Sequence, residues 1–216
     1  MVHVLTQQNS IVNHILAELR DIAVQQDRMR FRRNLERLGE IFAYEISKTL
    51  AYEPVEIETP LGIAETALLP EQPVLAAILR AGIPMHQGML HVFDQADCAF
   101  IGAYRKTKKS GAFEIRKEYV SSVNLDNRIL ILIDPMLATG RTAVLTCKEL
   151  LDDYTVKSLI IVSAIASEEG IAHVKAYLPQ AQLWVGDIDS ELTSKAYIVP
   201  GLGDAGDLAY GVKDSN

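Results

Sequence analysis

An apolar strand that ends on a carboxylate and turns through small residues into a helix is where chemistry first becomes legible in this chain. The stretch is Ile129-Leu130-Ile131-Leu132-Ile133-Asp134-Pro135-Met136-Leu137-Ala138-Thr139-Gly140-Arg141-Thr142. In an open parallel sheet, ligands sit beyond the carboxyl ends of the strands, so such a strand delivers Asp134 to that crevice. The turn gathers backbone N–H groups and the hydroxyls of Thr139 and Thr142 at a helix N-terminus, where the dipole and unpaired donors favour a phosphate. Gly140 supplies the backbone freedom that such a loop needs. The plain alternative is an Asp that begins a turn and a Thr that caps a helix.

Two arginines follow other strand-like runs, in Ile78-Leu79-Arg80-Ala81-Gly82 and Ile101-Gly102-Ala103-Tyr104-Arg105. Guanidinium forks bind phosphate oxygens in pairs and suit a pyrophosphate, although a lone arginine after a strand is usually a surface residue. The tail Tyr197-Ile198-Val199-Pro200-Gly201-Leu202-Gly203-Asp204-Ala205-Gly206-Asp207 is dense in glycine. Glycines let peptide N–H and C=O groups approach a flat ring, and a pyrimidine's alternating donors and acceptors can be read by such groups.

Positioning these residues is the work of an α/β pattern. After Thr59-Pro60, short β-branched runs alternate with helical stretches, which signals a mostly parallel sheet flanked by helices. The spacing predicts strands at 74–79, 99–103, 128–133, 158–166 and 182–185, and helices at 84–92, 142–151 and 168–177. Their continuous apolar character implies strands covered on both faces. Upstream, Ile11, Ile15, Leu19 and Ile22 recur at helical spacing with Asn9 or Ser10 as N-cap. Phe31, Leu35, Leu38, Phe42 and Ile46 repeat the pattern, with Arg28, Arg30, Arg32, Arg33 and Arg37 on the solvated side. The residues from Lys106 to Val120, with Gly111 inside, predict a hairpin projecting from the sheet.

With 216 residues, 49% hydrophobic and 23% charged, and a formal charge of −7, the chain is an ordinary globular protein. It is read as a single domain comprising an N-terminal helical part (1–58), a β-arm (104–122) and a C-terminal hood (187–216). No apolar run approaches the roughly 18 residues that a membrane span requires, and no secretory signal is visible. Cys98 and Cys147 are too few for a disulfide framework, so a reducing cytoplasm is expected. The acidic balance argues against nucleic-acid binding. Locally the sign reverses: between Arg105 and Glu118, six basic residues face only Glu114 and Glu118. Such a segment can concentrate a polyanionic substrate.

The Asp134–Gly140 stretch resembles the 5-phosphoribosyl 1-diphosphate (PRPP) loop of type I phosphoribosyltransferases. Asp134-Pro135, in place of the usual two adjacent acids, is similar to the uracil phosphoribosyltransferases. The Tyr197–Asp207 segment is similar, nearly letter for letter, to that family's uracil-binding segment. Phe31-Arg32, Ala43-Tyr44-Glu45 and Ile57-Glu58-Thr59-Pro60 resemble its N-terminal region. Arg141, where glycine is usual, and the arm are departures.

This resemblance implies transfer of a phosphoribosyl group from PRPP to uracil, with Asp134, Arg80 and Arg105 as catalytic residues. PRPP would be bound by Arg80, Arg105, Asp134, Pro135, Met136, Leu137, Ala138, Thr139, Gly140, Arg141, Thr142 and Asp204. Uracil would be read by Tyr197, Ile198, Gly203, Asp204 and Ala205. Mg²⁺ is expected as cofactor, carried by PRPP and through water near Asp204 rather than by direct protein ligands. The arm Lys106–Lys109 would help cover PRPP. The N-terminal apolar stripes suggest a homodimer or larger homo-oligomer, or else they pack on the sheet. GTP activation, present in some family members, is left open by the sequence. The rival reading is a pyrimidine-responsive RNA-binding regulator, because the pyrimidine operon attenuator shares a Thr-Gly-Arg-Thr run like Thr139–Thr142. A phosphoribosyltransferase acting on another base is a third reading.

Overall fold

The computed structural model describes residues 1–107 and 113–213, with only the backbone described over 103–119. The strands in chain order are β1 (Val2–Val4), β2 (Glu53–Thr59), β3 (Gly62–Leu68), β4 (Val74–Leu79), β5 (Cys98–Thr107), β6 (Phe113–Ser121), β7 (Ile129–Ile133), β8 (Met136–Leu137), β9 (Ser158–Ser167), β10 (Gln182–Asp189), β11 (Glu191–Leu192) and β12 (Ile198–Val199). The helices are α1 (Ile11–Arg20), α2 (Arg28–Ser47), α3 (Gly82–Leu90), α4 (Arg141–Asp153), α5 (Glu168–Tyr177) and α6 (Ala205–Tyr210).

The main sheet has the order β1-β10-β9-β7-β4-β5-β6, with β8 pairing β9. All neighbours in it are parallel except β5 and β6, which form the expected antiparallel hairpin. Its tip, including Lys108, Lys109 and Gly111, lies outside the described residues.

The run Ile129–Ile133 is apolar throughout because both faces of β7 are covered. Ile131 and Ile133 join α1, α2 and α3 in one core, through Ile15, Leu19, Leu35, Phe42 and Met85. Leu130 and Leu132 join α4 and α5 in the other, through Val144, Leu150 and Val174. The N-terminal stripes therefore pack inward. Two of their expected positions do not: Ile11 and Ile22 are exposed, and α1 turns Val12, Ile15, Leu16 and Leu19 to the core behind a Ser10 capping box. Where α3 crosses α2, Gly88 lies so close to the Glu36 carbonyl that a Cβ there would overlap it.

Three expectations need correction. The 1–58 segment is not wholly helical, since β1 extends the sheet edge beside β10 and β2 opens a hairpin with β3. β1 is three residues long, too short for periodicity to reveal. The strand predicted over 182–185 runs on to Asp189, its polar end hidden from an apolar pattern. The basic side of α2 is not simply solvated: Arg30 pairs with Glu18, Arg33 with Glu36 and Glu40, and Arg32 donates to the Ala209 carbonyl at 2.7 Å.

The Glu18–Arg30 pair joins α1 to α2 through a two-pronged contact, both N···O distances being 2.6 Å, and Asn34 adds a third bond at 2.7 Å. The Arg30 hydrogen bond, then that of Asn34, holds the Glu18 carboxyl at about 2, against an ordinary value of 4.5. A carboxylate depressed in the folded state contributes stability that is complete above its unfolded value and is lost as pH falls. Glu18→Gln is therefore expected to flatten the loss of thermal stability between pH 4.5 and about 2, read from melting temperatures of variant and parent across that range.

Candidate functional site

Parallel pairing puts the carboxyl ends of β4, β7, β9 and β10 on one edge, and the sequence-predicted residues gather there. β7 ends at Ile133, and Asp134 follows with its N–H donating to the Val162 carbonyl of β9 at 3.1 Å. Its side chain accepts from the Met136 N–H at 3.4 Å, so Asp134 does begin a turn. Ser163 Oγ donates to the Asp134 carbonyl. Pro135 is buried, Met136 and Leu137 form β8, and Ala138 packs under the loop. Thr139 and Thr142 are half-buried and Arg141 is exposed.

Gly140 is the N-cap of α4, at φ +70° with no side-chain cap. A Cβ there would lie 2.6 Å from the Gly170 carbonyl, so both torsion and packing require glycine. With no side-chain oxygen spent on capping, the first amides of α4 keep the donor character that suits an anion.

Further along the loop, the Ala138 carbonyl accepts from Ser167 Oγ, and that hydroxyl oxygen caps α5 by accepting from the Gly170 N–H at 2.9 Å. Sequence reading missed Ser163 and Ser167. Their signal is two hydroxyls four apart in the otherwise apolar run of β9, both buried at 1% exposure or less.

Arg80 follows β4 and reaches the tail: its Nη2 lies 3.1 Å from Asp207 Oδ1 and 3.1 Å from the Gly211 carbonyl. Its Nε is buried without a hydrogen-bond partner. The acid against Arg80 is thus Asp207, absent from the predicted site. Asp204 instead caps α6, its Oδ1 accepting from the Asp207 N–H at 3.0 Å. Arg105 does not end its strand, because β5 continues to Thr107. The parallel pairing with β4 ends at Gly102, and the register of β5 shifts between Gly102 and Ala103. The Arg105 side chain lies outside the described residues.

In the tail, Ile198 and Ala205 are buried, while Tyr197 and Gly203 are exposed. α1 holds this segment from behind: Arg20 Nη1 and Nη2 grip Asp189 at 2.8 and 2.9 Å. Arg20, Asp187 and Asp189 were also missed; the signal of the two acids is an acid-x-acid ending on an apolar strand. A cleft of about 800 Å³ lies between the start of α2 and α6, lined by Arg28, Arg32, Asp204 and Asp207 among others.

The end of β4, hydrogen-bonded beside β7, is thus tied to the glycine-rich tail through Arg80 and Asp207. A family model for uracil phosphoribosyltransferase matches residues 5–212. The chain belongs to the uracil phosphoribosyltransferase family. It is 45% identical over 210 residues to the uracil phosphoribosyltransferase of Porphyromonas gingivalis, covering 97% of each chain. With that of Thermococcus gammatolerans it shares 38% over 209 residues, 95% of this chain and 91% of the other. The solved structure of the AQ2163 protein from Aquifex aeolicus superposes with a TM-score of 0.87 at 31% identity, over 98% of this chain and 99% of that one.

Among the described residues, Glu36, Glu40 and His91 converge with ligand atoms within 4.8 Å of one another. Arg33 already pairs with both carboxylates, at 2.8 and 3.3 Å, and His91 Nδ1 lies 3.0 Å from Glu40. The group is an ion-pair network. It sits where α3 ends, away from the strand ends at which α3 begins. Neither cysteine serves the site; burial pushes the Cys147 thiol up to about 12.

Ser167→Ala releases the Ala138 carbonyl and the α5 cap together. It is expected to cost about 1–3 kcal/mol, read as a lowered urea midpoint with an unchanged slope.

Proposed function

We propose that this chain transfers the 5-phosphoribosyl group of PRPP to uracil, giving UMP and pyrophosphate. The carrying observation is the Arg80–Asp207 contact, which joins the carboxyl end of β4, next to that of β7, to the glycine-rich tail; the names of the curated relatives support the same reading.

In this reading the amides of Ala138–Thr142 hold the 5′-phosphate, and Asp134 accepts hydrogen bonds from the ribose hydroxyls. Departure of pyrophosphate leaves positive charge on the ribose, an oxocarbenium-like state like that of glycoside hydrolysis, and the Asp134 carboxylate favours it. Arg80 and Arg105 stabilise the charge that develops on pyrophosphate. Peptide groups of Ile198, Gly203 and Ala205 read uracil. A cytosine pattern would set donor against donor, at about 1–3 kcal/mol for each unpaired buried group.

The carboxylate of Asp204, at the α6 cap, and that of Asp207, against Arg80, are hard oxygen donors that suit Mg²⁺ held through water and substrate phosphates. Held there, Mg²⁺ would supply charge neutralisation for the leaving pyrophosphate. A cytoplasmic setting is supported by Cys98 and Cys147, both free thiols, and no helix among the described residues is long and apolar enough to cross a membrane. No observation favours the RNA-binding alternative.

We also propose a homo-oligomer. Register places Val55, Ile57, Ala64, Thr66 and Leu68, with Glu53 and Thr59 at the ends, on one face of the β2–β3 hairpin, and Glu56, Glu58 and Glu65 with Pro54, Ile63 and Ala67 on the other. Apart from half-buried Val55 and Thr59, its strand residues are exposed, although a two-stranded ribbon is marginal by itself. A second copy would cover the apolar face.

Purified protein given labelled uracil, PRPP and Mg²⁺ is expected to form UMP, with cytosine and orotate inert; no UMP overturns the reading. Asp134→Asn should lower kcat by about tenfold or more, at least ~1.4 kcal/mol of transition-state stabilisation, with little change in melting temperature. Arg80→Ala should raise the KM for PRPP. By sedimentation, the native chain should exceed its 23.9 kDa monomer mass, and Ile57→Asp with Leu68→Asp should return it to monomer.

A further inference from the structure

We infer that Arg20 is a positioning residue of the base subsite: from α1, remote in sequence from both substrate loops, its guanidinium sets the peptide groups that read uracil. The inference rests on the function proposed above and adds a residue to it.

Arg20 is the last residue of α1, its side chain 20% exposed. Its two terminal nitrogens fork onto both oxygens of Asp189, an acid only 6% exposed at the end of β10. The same nitrogens reach two further acceptors, Asp187 Oδ2 at 3.0 Å and the Gly201 carbonyl at 3.0 Å. Asp189 Oδ2 in turn accepts from the Gly201 N–H at 2.9 Å. Both peptide groups of Gly201 are therefore tied to one arginine–aspartate pair.

Gly201 cannot shift easily to compensate. It sits at φ +57°, folded so tightly over Ile198 that a Cβ would overlap the Ile198 carbonyl. The residues whose backbones read the base, Ile198, Gly203 and Ala205, lie within four positions of it. Asp187 is itself braced, accepting from Thr6 Oγ1 at 2.9 Å. A bidentate fork fixes direction as well as distance, which a lysine ammonium does not. A peptide group displaced by even a fraction of an ångström loses the alignment that hydrogen bonds to a planar base demand.

The test uses initial rates of full-length parent, Arg20→Lys and Arg20→Ala over varied uracil and varied PRPP, together with hydrogen exchange of the tail. Arg20→Lys is expected to raise the KM for uracil about tenfold or more while leaving the KM for PRPP within about twofold. Amides of residues 197–206 should exchange faster in Arg20→Lys, with those of Ile129–Ile133 unchanged. Millimolar guanidinium, but not ammonium, should restore uracil use to Arg20→Ala. Unchanged uracil KM in folded Arg20→Lys, unchanged tail exchange, or equal rises in both KM values would each overturn the role. Should Arg20→Ala not fold, the Arg20→Lys kinetics and exchange decide alone. Should Arg20→Lys also lose its fold, the role is overturned in favour of a purely structural one. A parent protein that makes no UMP would fail the proposed function instead, and the exchange experiment would still report on the clamp.

Discussion

Seven of the eight described strands of the main sheet run parallel, so their carboxyl ends share one edge, and there the backbone ladder runs out. Peptide groups beyond that edge must find partners elsewhere or face the crevice. Every feature of the candidate site answers this constraint. Asp134 and its loop leave β7, Arg80 leaves β4, Ser167 closes β9, and Asp189 closes β10. The serine hydroxyls satisfy loop carbonyls, whereas the first amides of α4 receive no side-chain cap. A loop tied down on its carbonyl side and open on its N–H side is preorganised for an anion.

The same edge is where the chain's charges are arranged in pairs across long sequence separations. Arg80 with Asp207 links the sheet to α6, and Arg20 with Asp187 and Asp189 links α1 to β10 and to Gly201. Removing one partner of such a partly buried pair leaves the other uncompensated, which costs more than the pair contributes over an apolar replacement. Their value here is specificity of arrangement: a glycine-rich tail is held by arginines that belong to other elements.

Much of this was legible from residue patterns. Continuous apolar runs gave β4, β7 and β9 nearly to the residue, because a strand covered on both faces has no other composition available. The Asp134–Thr142 loop and the Tyr197–Asp207 tail were legible because function restricts residue type at consecutive positions. The β1 strand was not, being too short, and Asp207 was not singled out because nothing along the chain shows which acid of the tail meets Arg80. Arg20 gave no signal, since a lone arginine at the end of a helix is ordinary.

The sequence by itself determined which segments are strands and helices, which of them end on chemically capable residues, and that two short stretches carry the phosphate and base chemistry, since these follow from local composition and order. Only the tertiary structure decided which acid meets Arg80, which hydroxyls hold the loop, and that α1 reaches the tail. Those partners lie as many as 181 residues apart, as Arg20 and Gly201 do. Pairings at that range are set by the strand order and the packing of helices on the sheet, not by any pattern along the chain.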